Sequence, residues 1–284
     1  MTKTHPVAPE HTAVRVALWR ALHVQLDPGP HIFTDEIGAK LVAEANWRNR
    51  PDMSPDFSKG MRASVVGRAR FIEDLVEDQL AKGVHQYVIL GAGLDTFAQR
   101  QPELASRMQI FEVDQRGPQA WKQERLSELG MTAPDSLHFV PVDFEAGQSW
   151  WEELIRAGFD KHQPAVIVST GVSMYLSKAA NSETLRQIAD LAPNSTFAMT
   201  FMLALDLLGP EEKTVMEFVM KKAKEGGTPF LSLFSPAEII GMAKEAGCKD
   251  AQYVSANDLY RRYFADRSDG LNAGSAEAFL VAST

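Results

Sequence analysis

A Gly-x-Gly sequence follows the short apolar run at 88–90, and two acidic residues follow the next apolar run. Glycines at the end of a buried strand let the backbone turn sharply and approach a ligand closely. Asp114 comes 23 residues after Gly91, and Glu112 comes 21 after it. An acid at about this distance can accept both hydroxyls of a ribose. Together the two features predict a site for an adenosine-containing cofactor, although a plain tight turn and a helix-capping Asp114 are the alternatives.

Two further residue choices bear on which cofactor this is. A dinucleotide site would carry a third glycine at position 96, where this chain has Thr96. S-adenosylmethionine has no phosphates to cradle, so the threonine favours a methyl donor over a nicotinamide. At the end of the third strand candidate, Asp143 precedes Phe144. A carboxylate beside a ring suits an adenine, with a helix cap and a core phenylalanine as the alternative.

The elements that position these residues follow from the periodicity. Five short apolar runs alternate with amphipathic stretches, which is typical of a parallel sheet covered by helices on both faces. Two more strand candidates near the end predict an antiparallel pair closing one edge. The fold prediction is therefore α/β, a doubly wound, mostly parallel, seven-stranded sheet. The predicted strands lie at 84–90, 108–113, 137–142, 165–169, 196–201, 249–254 and 278–282.

Two segments outside this alternation are predicted to be helical covers. Residues 1–83 form a helical cap, with a long helix over 58–82 and a shorter one over 35–47 that Thr34 begins as N-cap. Residues 84–284 form the Rossmann-like core. The strongly apolar stretch around 203–234 is expected to be an inserted lid over the substrate, with ordinary core packing as the alternative.

Composition excludes several classes of function. The 284 residues carry 29 basic and 37 acidic side chains, a net charge of −8, which opposes binding to a nucleic-acid backbone. Cys248 is the single cysteine, so no internal disulfide forms, and the seven histidines show no metal-ligand spacing. No apolar stretch reaches membrane-spanning length, and the N-terminus does not read as a secretory signal. We therefore expect a soluble cytoplasmic protein that holds no metal and acts on a small molecule.

Several motifs in a fixed order resemble the leucine carboxyl methyltransferase family of class I S-adenosylmethionine-dependent methyltransferases. The chain is more similar to the bacterial members, including polyketide O-methyltransferases, than to the eukaryotic protein phosphatase methyltransferase. The resemblance spans roughly residues 12–282, and its marks lie at 68–74, 90–96, 111–114, 142–144, 171–176 and 262–271. It implies the class I methyltransferase fold with S-adenosylmethionine as cofactor.

The resemblance also implies roles for single residues. Arg68 would pair with the cofactor's carboxylate, with Arg70 as a second choice that a surface salt bridge explains equally well. Thr170 stands where better-known members have a glutamate, which puts a leucine-carboxylate substrate in doubt. The implied cofactor-binding residues are Arg68, Gly91, Ala92, Gly93, Asp114, Asp143, Phe144 and Thr170.

The predicted activity is transfer of a methyl group to a carboxylate or hydroxyl of a small, apolar acceptor by in-line displacement, which depends mainly on positioning. Tyr175 is the residue predicted to lie nearest the acceptor, with core packing as the alternative. Arg262 and Arg267 are weaker candidates for binding an acidic substrate, and His31 for a general base. The competing functions are a nicotinamide-dependent oxidoreductase and a non-catalytic cofactor-binding protein.

Overall fold

The structure is a computed structural model that describes residue 9, residues 11–143 and residues 147–284. By its internal contacts the chain divides into two compact units. The first unit is Met1–Phe159 with Asp266–Ala273, and the second is Asp160–Ala265 with Gly274–Thr284. The predicted division into a cap at 1–83 and a core at 84–284 follows different lines and stays a prediction.

The first unit contains a helical N-terminal part followed by three strands. The strands β1, β2 and β3 pair in parallel in the order β3-β2-β1, with Val88 opposite Phe111 and Val113 opposite Val140. All five residues of β1 are buried. The elements are α1 His11–Leu26, α2 Ile37–Val42, α3 Pro55–Ala81, β1 Gln86–Leu90, α4 Phe97–Arg100, α5 Pro102–Ala105, β2 Gln109–Gln115, α6 Arg116–Glu128, β3 Leu137–Val142 and α7 Trp150–Arg156.

The N-terminal helices are held by a core of their own. Leu18 and Leu22 of α1 pack with Trp47 and Met53, and all four side chains are buried. The long helix α3 confirms the predicted helix over 58–82, beginning three residues earlier. Of its predicted apolar stripe at Val65, Ala69, Ile72, Val76 and Leu80, all but the partly buried Ala69 are buried.

The helix predicted over 35–47 is shorter than expected. α2 begins at Ile37, and its first N–H groups, those of Ile37 and Gly38, donate to the Asp35 carboxylate at 2.9 and 3.2 Å. The prediction of Thr34 as the cap was therefore wrong. Ala43, with φ 54°, ends the helix after Val42 because the left-handed conformation cannot continue it.

The second unit contains four strands, together with the segment 203–234 that is predicted to be an insertion. β4 and β5 pair in parallel, whereas β7 runs antiparallel to both β5 and β6, as the predicted edge pair requires. A bridge joins Leu203 to Phe234, so the intervening segment leaves and rejoins the sheet at one point. The elements are β4 Ala165–Ser169, α8 Lys178–Ala189, β5 Thr196–Met202, α9 Pro210–Glu225, α10 Pro236–Ala246, β6 Asp250–Val254, α11 Ala256–Leu259 and β7 Glu277–Ser283.

The seven strands make one mixed sheet in the order β3-β2-β1-β4-β5-β7-β6. This is the doubly wound order 3-2-1-4-5-6 with one antiparallel strand placed between the last two. The predicted fold class is confirmed, and every predicted strand lies within two residues of an observed one. Over the residues that the structure describes, no helix is both long enough and apolar enough to cross a membrane.

Candidate functional site

The Gly-x-Gly turn leaves β1 in a conformation that needs glycine. Gly91 and Gly93 have φ angles of 70° and 53°, a region that side chains with a Cβ rarely adopt. The N–H groups of Gly91 and Ala92 donate to the carbonyl of Val113 at 2.9 and 3.3 Å, which fixes the turn against the end of β2. The glycine turn therefore lies at the carboxyl ends of β1 and β2, where ligands bind in doubly wound sheets.

Asp114, at the end of β2, faces this turn. Its Oδ2 accepts the N–H of Gly93, and its Oδ1 accepts the N–H of Gln115 at 2.6 Å. The N-cap of α6 is Gln115 without a side-chain bond, so Asp114 does not cap that helix. Burial raises the pKa of Asp114, against the two N–H donors and the charge of Lys122, which lower it. A carboxylate can accept about four hydrogen bonds, which leaves room for two hydroxyls of a ligand.

Glu112, the other acid at a suitable distance, is not available to a ligand. Its side chain is 1% exposed, and Oε2 lies 2.5 Å from Nζ of Lys122, which is equally buried. Burial raises the pKa of Glu112 to about 7, and the attraction of Lys122 offsets this only in part. Of the two acids that spacing allowed, only Asp114 presents its carboxylate to the glycine turn.

A buried polar network holds the chain beyond the glycines, and no motif in the sequence predicted it. Asp35 is 1% exposed, and its Oδ2 lies 2.9 Å from the hydroxyl of Thr96, which donates, and 2.8 Å from Nε of Arg20. Arg20 also donates through Nη2 to the carbonyl of Leu94 at 2.6 Å. Burial acts to raise the pKa of Asp35, but the charges of Arg20 and Arg100 outweigh it, so the pKa lies below its ordinary value.

The same network continues into α3. Nε of Arg100 donates to the hydroxyl oxygen of Thr96 at 2.9 Å, and its Nη2 forms an ion pair with Glu73. Gln101 donates to the second carboxylate oxygen of Glu73 at 3.2 Å. We call Arg20, Asp35, Glu73, Thr96 and Arg100 the Asp35 network. One signal for it was present in the sequence, since Arg20 lies on the apolar side of α1.

The two candidate arginines of α3 differ in their surroundings. Arg68 is partly buried. Arg70, two positions on, is exposed, and its Nε lies 2.7 Å from Oδ1 of Asp74 one turn later. The surface salt bridge that was the alternative for Arg70 is thus observed. Arg68 remains the candidate of the pair.

The predicted adenine contacts lie at the end of β3. Asp143 is exposed, and its N–H donates to Oε1 of Gln148 at 2.9 Å. Phe144 lies outside the residues that the structure describes. The assignment of these two residues to the adenine stays a prediction.

Thr170 and Tyr175 belong to the second unit, in the segment after β4. Thr170 is partly buried, and the next residue, Gly171, donates its N–H to Oγ1 of Thr200 at 2.8 Å. The ring of Tyr175 meets that of Phe230 edge to face at 5.4 Å between centroids. Tyr175 therefore lies beside the insertion.

The weaker candidates have structural partners. Nε2 of His31 lies 3.1 Å from the carbonyl oxygen of Asp27. Arg267 forms an ion pair with Asp269 and donates to the carbonyls of Pro28 and Pro30 at 2.9 and 2.7 Å. These contacts make Arg267 a link within the first unit.

Comparison with known proteins identifies the family of this chain. The family model for leucine carboxyl methyltransferase matches residues 13–189. YktD of Bacillus subtilis (strain 168), named as an S-adenosyl-L-methionine-dependent methyltransferase, is 32% identical over 287 residues, covering 92% of this chain and 93% of that protein. A Mycobacterium sp. (strain KMS) protein named for the same activity is 38% identical over 149 residues, 50% of this chain and 47% of its own length.

The fold has a solved counterpart as well. A crystal structure described as a methyltransferase of Thermobifida fusca YX superposes with a TM-score of 0.60 at 19% identity, covering 98% of this chain and 95% of that one. At this identity the likeness concerns the fold alone. The family match, by contrast, spans the glycine turn, Asp114 and the Asp35 network. This chain therefore belongs to the leucine carboxyl methyltransferase family and is an S-adenosylmethionine-dependent methyltransferase.

Proposed function

We propose that the enzyme transfers the methyl group to a carboxylate or hydroxyl oxygen of a small, apolar acceptor. The observation that carries the apolar part is the surface of the insertion. Leu207, Val215, Phe218 and Leu231 are between 51% and 59% exposed. Large apolar side chains grouped in one exposed segment are typical of a surface that receives an apolar ligand. The oxygen acceptor is supported by the family, whose description names a carboxyl group.

The cofactor's place is proposed at the glycine turn. Asp114 keeps acceptor positions for the ribose hydroxyls, and the two positive-φ glycines allow the sharp turn that brings the backbone to the carboxyl ends of β1 and β2. Arg68 would pair with the cofactor's carboxylate, because a guanidinium binds a carboxylate through two parallel N–H donors. Thr170 and Asp143 stay secondary assignments.

The chemistry needs little from the protein beyond positioning. S-adenosylmethionine, when bound, supplies a methyl group on a positively charged sulfur that departs as a neutral thioether. A carboxylate acceptor carries the electron pair for the new C–O bond and has no proton to lose. A hydroxyl acceptor must lose its proton, so it also needs a base. The residues of the chain orient the acceptor and exclude water.

Tyr175 is proposed to line the acceptor side. Its ring contacts Phe230, and the N–H of Leu231 donates to the carbonyl of Met174 at 2.6 Å. The hydroxyl of Ser232 donates to the carbonyl of Leu176 at 2.5 Å. The end of the insertion is thus bound to the segment that carries Tyr175, which supports one acceptor surface made of both.

Cofactor binding tests the proposed place of S-adenosylmethionine at the glycine turn. We expect Asp114→Ala and Arg68→Ala each to weaken S-adenosylhomocysteine binding by about tenfold or more, because each removes a charge-assisted contact. Arg70→Ala is the matched control, since Arg70 lies on the same helix and pairs only with a surface acid in the contacts described above. Calorimetric titration measures all three. Wild-type affinity in the Asp114 variant would contradict this placement of the cofactor.

Turnover measurements test the proposed small, apolar acceptor. With straight-chain carboxylic acids and a matched series of phenols, we expect kcat/KM to rise about three- to fourfold for each added methylene. Phe218→Asp should flatten this dependence, whereas Glu217→Ala, its exposed neighbour, should not. Product is measured by mass spectrometry. A kcat/KM that does not change with chain length would exclude the apolar acceptor, and cofactor binding without any product would favour a non-catalytic protein.

A further inference from the structure

The glycine turn, where the cofactor is proposed to bind, is in contact with the helical N-terminal part as well as with the sheet. Helix α1 touches it at two points. A Cβ built on Gly93 would lie 3.3 Å from Cβ of Ala13, and Arg20 donates to the carbonyl of Leu94. Two successive residues of the turn therefore rest on one helix of the N-terminal part.

Asp35 fixes the next point along the same turn. The hydroxyl of Thr96 donates to Asp35, and its oxygen accepts from Arg100. Asp35 in turn is held by Arg20 and by two backbone N–H groups at the start of α2. Since Asp35 and Thr96 are each 1% exposed, water cannot replace these bonds if one partner is lost.

A turn with two glycines loses much conformational freedom when it becomes ordered. If that ordering took place on binding, its entropic cost would reduce the affinity for the ligand. Here the cost is met during folding instead, because Gly93 and Leu94 already lie against α1 and the hydroxyl of Thr96 is already bonded to Asp35 and Arg100. None of the five network side chains needs to touch a ligand for this to act.

We propose that Arg20, Asp35 and Thr96 are positioning residues that hold the turn from Gly91 to Thr96 in its cofactor-binding conformation. The inference rests on the proposed place of the cofactor at this turn. It assigns to the N-terminal helices a role in cofactor affinity, in addition to any role in covering the substrate. Thr96 stands where a dinucleotide fingerprint would require glycine, and its hydroxyl is the group that joins the turn to the Asp35 network.

Thr96→Val tests this because valine keeps the shape and removes the hydroxyl. We expect S-adenosylhomocysteine to bind about tenfold more weakly to Thr96→Val, and within about twofold of wild type to Thr96→Ser, which restores the hydroxyl. Without ligand, amide hydrogen exchange of the segment 91–96 should be faster in Thr96→Val, and bound ligand should remove most of the difference.

Ser58→Ala is the matched control. The Ser58 hydroxyl is fully buried and accepts from Nη1 of Arg62 at 2.5 Å, so it also bridges an arginine within a buried network, but one that does not reach the turn. We expect Ser58→Ala to lower stability and to leave the affinity of the folded protein unchanged. Equal losses of affinity in Ser58→Ala and Thr96→Val would overturn the inference.

Asp114→Ala separates this inference from the proposed function. If Asp114→Ala loses binding and Thr96→Val binds as wild type, the cofactor site stands and the positioning role is overturned. If both bind as wild type, the cofactor lies elsewhere and both proposals fail. Weaker binding in both, with rescue in Thr96→Ser, is the result that supports the two together.

Discussion

Two buried aspartates lie between α1 and α2, Asp27 directly after α1 and Asp35 shortly before α2. Each forms a polar network, and the two networks are similar in composition but connect different parts of the chain. Asp27 accepts from Nδ1 of His23 at 2.8 Å and from Arg62 through two nitrogens, at 2.8 and 3.1 Å. We call His23, Asp27, Ser58 and Arg62 the Asp27 network. It joins the end of α1 to α3 and stays within the helical part, whereas the Asp35 network extends to the turn after β1.

The charges of the two networks are balanced in similar ways. Burial acts to raise the pKa of Asp27, but the hydrogen bonds from His23 and Arg62 outweigh it and lower the pKa to about 2. The N–H of Ile32 donates to Nε2 of His23 at 3.2 Å, which leaves Nδ1 of His23 as the donor to Asp27. A buried Asp–Arg pair occurs in both networks and therefore does not by itself distinguish them. What distinguishes Asp35 is that one of its partners, Thr96, lies on the glycine turn.

The largest expected effect is on stability, at Arg62. Arg62→Ala leaves Asp27 buried without its bidentate partner, and we expect a loss of about 3–5 kcal/mol in the free energy of unfolding. The affinity of the remaining folded protein for S-adenosylhomocysteine should not change. Urea unfolding and calorimetry measure the two quantities. A large loss of affinity here would remove the distinction between the two networks.

The next effect concerns pH. Because the pKa of Asp27 is lowered from 3.8 to about 2, its ionised form stabilises the folded state above pH ~4. This contribution, about 2 kcal/mol, is lost as the pH falls through the folded pKa. We expect Asp27→Asn to have lower stability near neutral pH and a shallower fall between about pH 4 and pH 2. Urea midpoints across this range, compared with wild type, test the sign; an unchanged slope would contradict it.

The smallest effect is expected at Glu112 and Lys122. This third buried ion pair belongs to neither the Asp27 network nor the Asp35 network. Glu112 has one oxygen without a hydrogen-bond partner and a pKa raised by burial, in contrast to Asp27 with its three donors. Replacing both, as Glu112→Leu with Lys122→Met, should leave stability within about 1 kcal/mol of wild type.

Lys122→Met alone is the control for that pair. It leaves Glu112 buried without a counter-charge, so it should be less stable than the double variant by about 2 kcal/mol or more. Thermal or urea unfolding of the three proteins decides this. A double variant as unstable as the single one would show that the pair does more than balance its own charges.

Much of the fold was predictable because a buried strand or helix face requires apolar residues at regular spacings in the sequence. Most of the β-strands appear as apolar runs, and α3 as an apolar stripe at spacings of three and four. The glycine turn and Asp114 were predictable for the same reason, since they lie directly at strand ends. The short helix α2 was not, because its limits depend on the Asp35 side chain and on the left-handed Ala43 rather than on periodicity.

The site residues show the same difference between features that depend on neighbours in the chain and features that depend on tertiary contacts. The sequence left Asp114 and Glu112 as alternatives, and the structure separates them because Lys122 reaches Glu112 from α6 while Gly93 donates to Asp114. Arg70 could be explained by Asp74 four positions on, and this local contact is observed. The assignments of Arg68, Asp143, Phe144, Thr170 and Tyr175 remain predictions for the binding and turnover experiments.

The class of fold, the cofactor class and the strand-end acid were readable in the order of residues, because each depends on neighbours in the chain. The Asp35 network was not. Asp35 and Thr96 are 61 positions apart, and Arg20 and Leu94 are 74 apart. A hydrogen bond acts over about 3 Å, so such partners meet only after helices and strands have packed. Which buried charges hold the fold together, and which hold the glycine turn, is therefore a property of the packed tertiary structure.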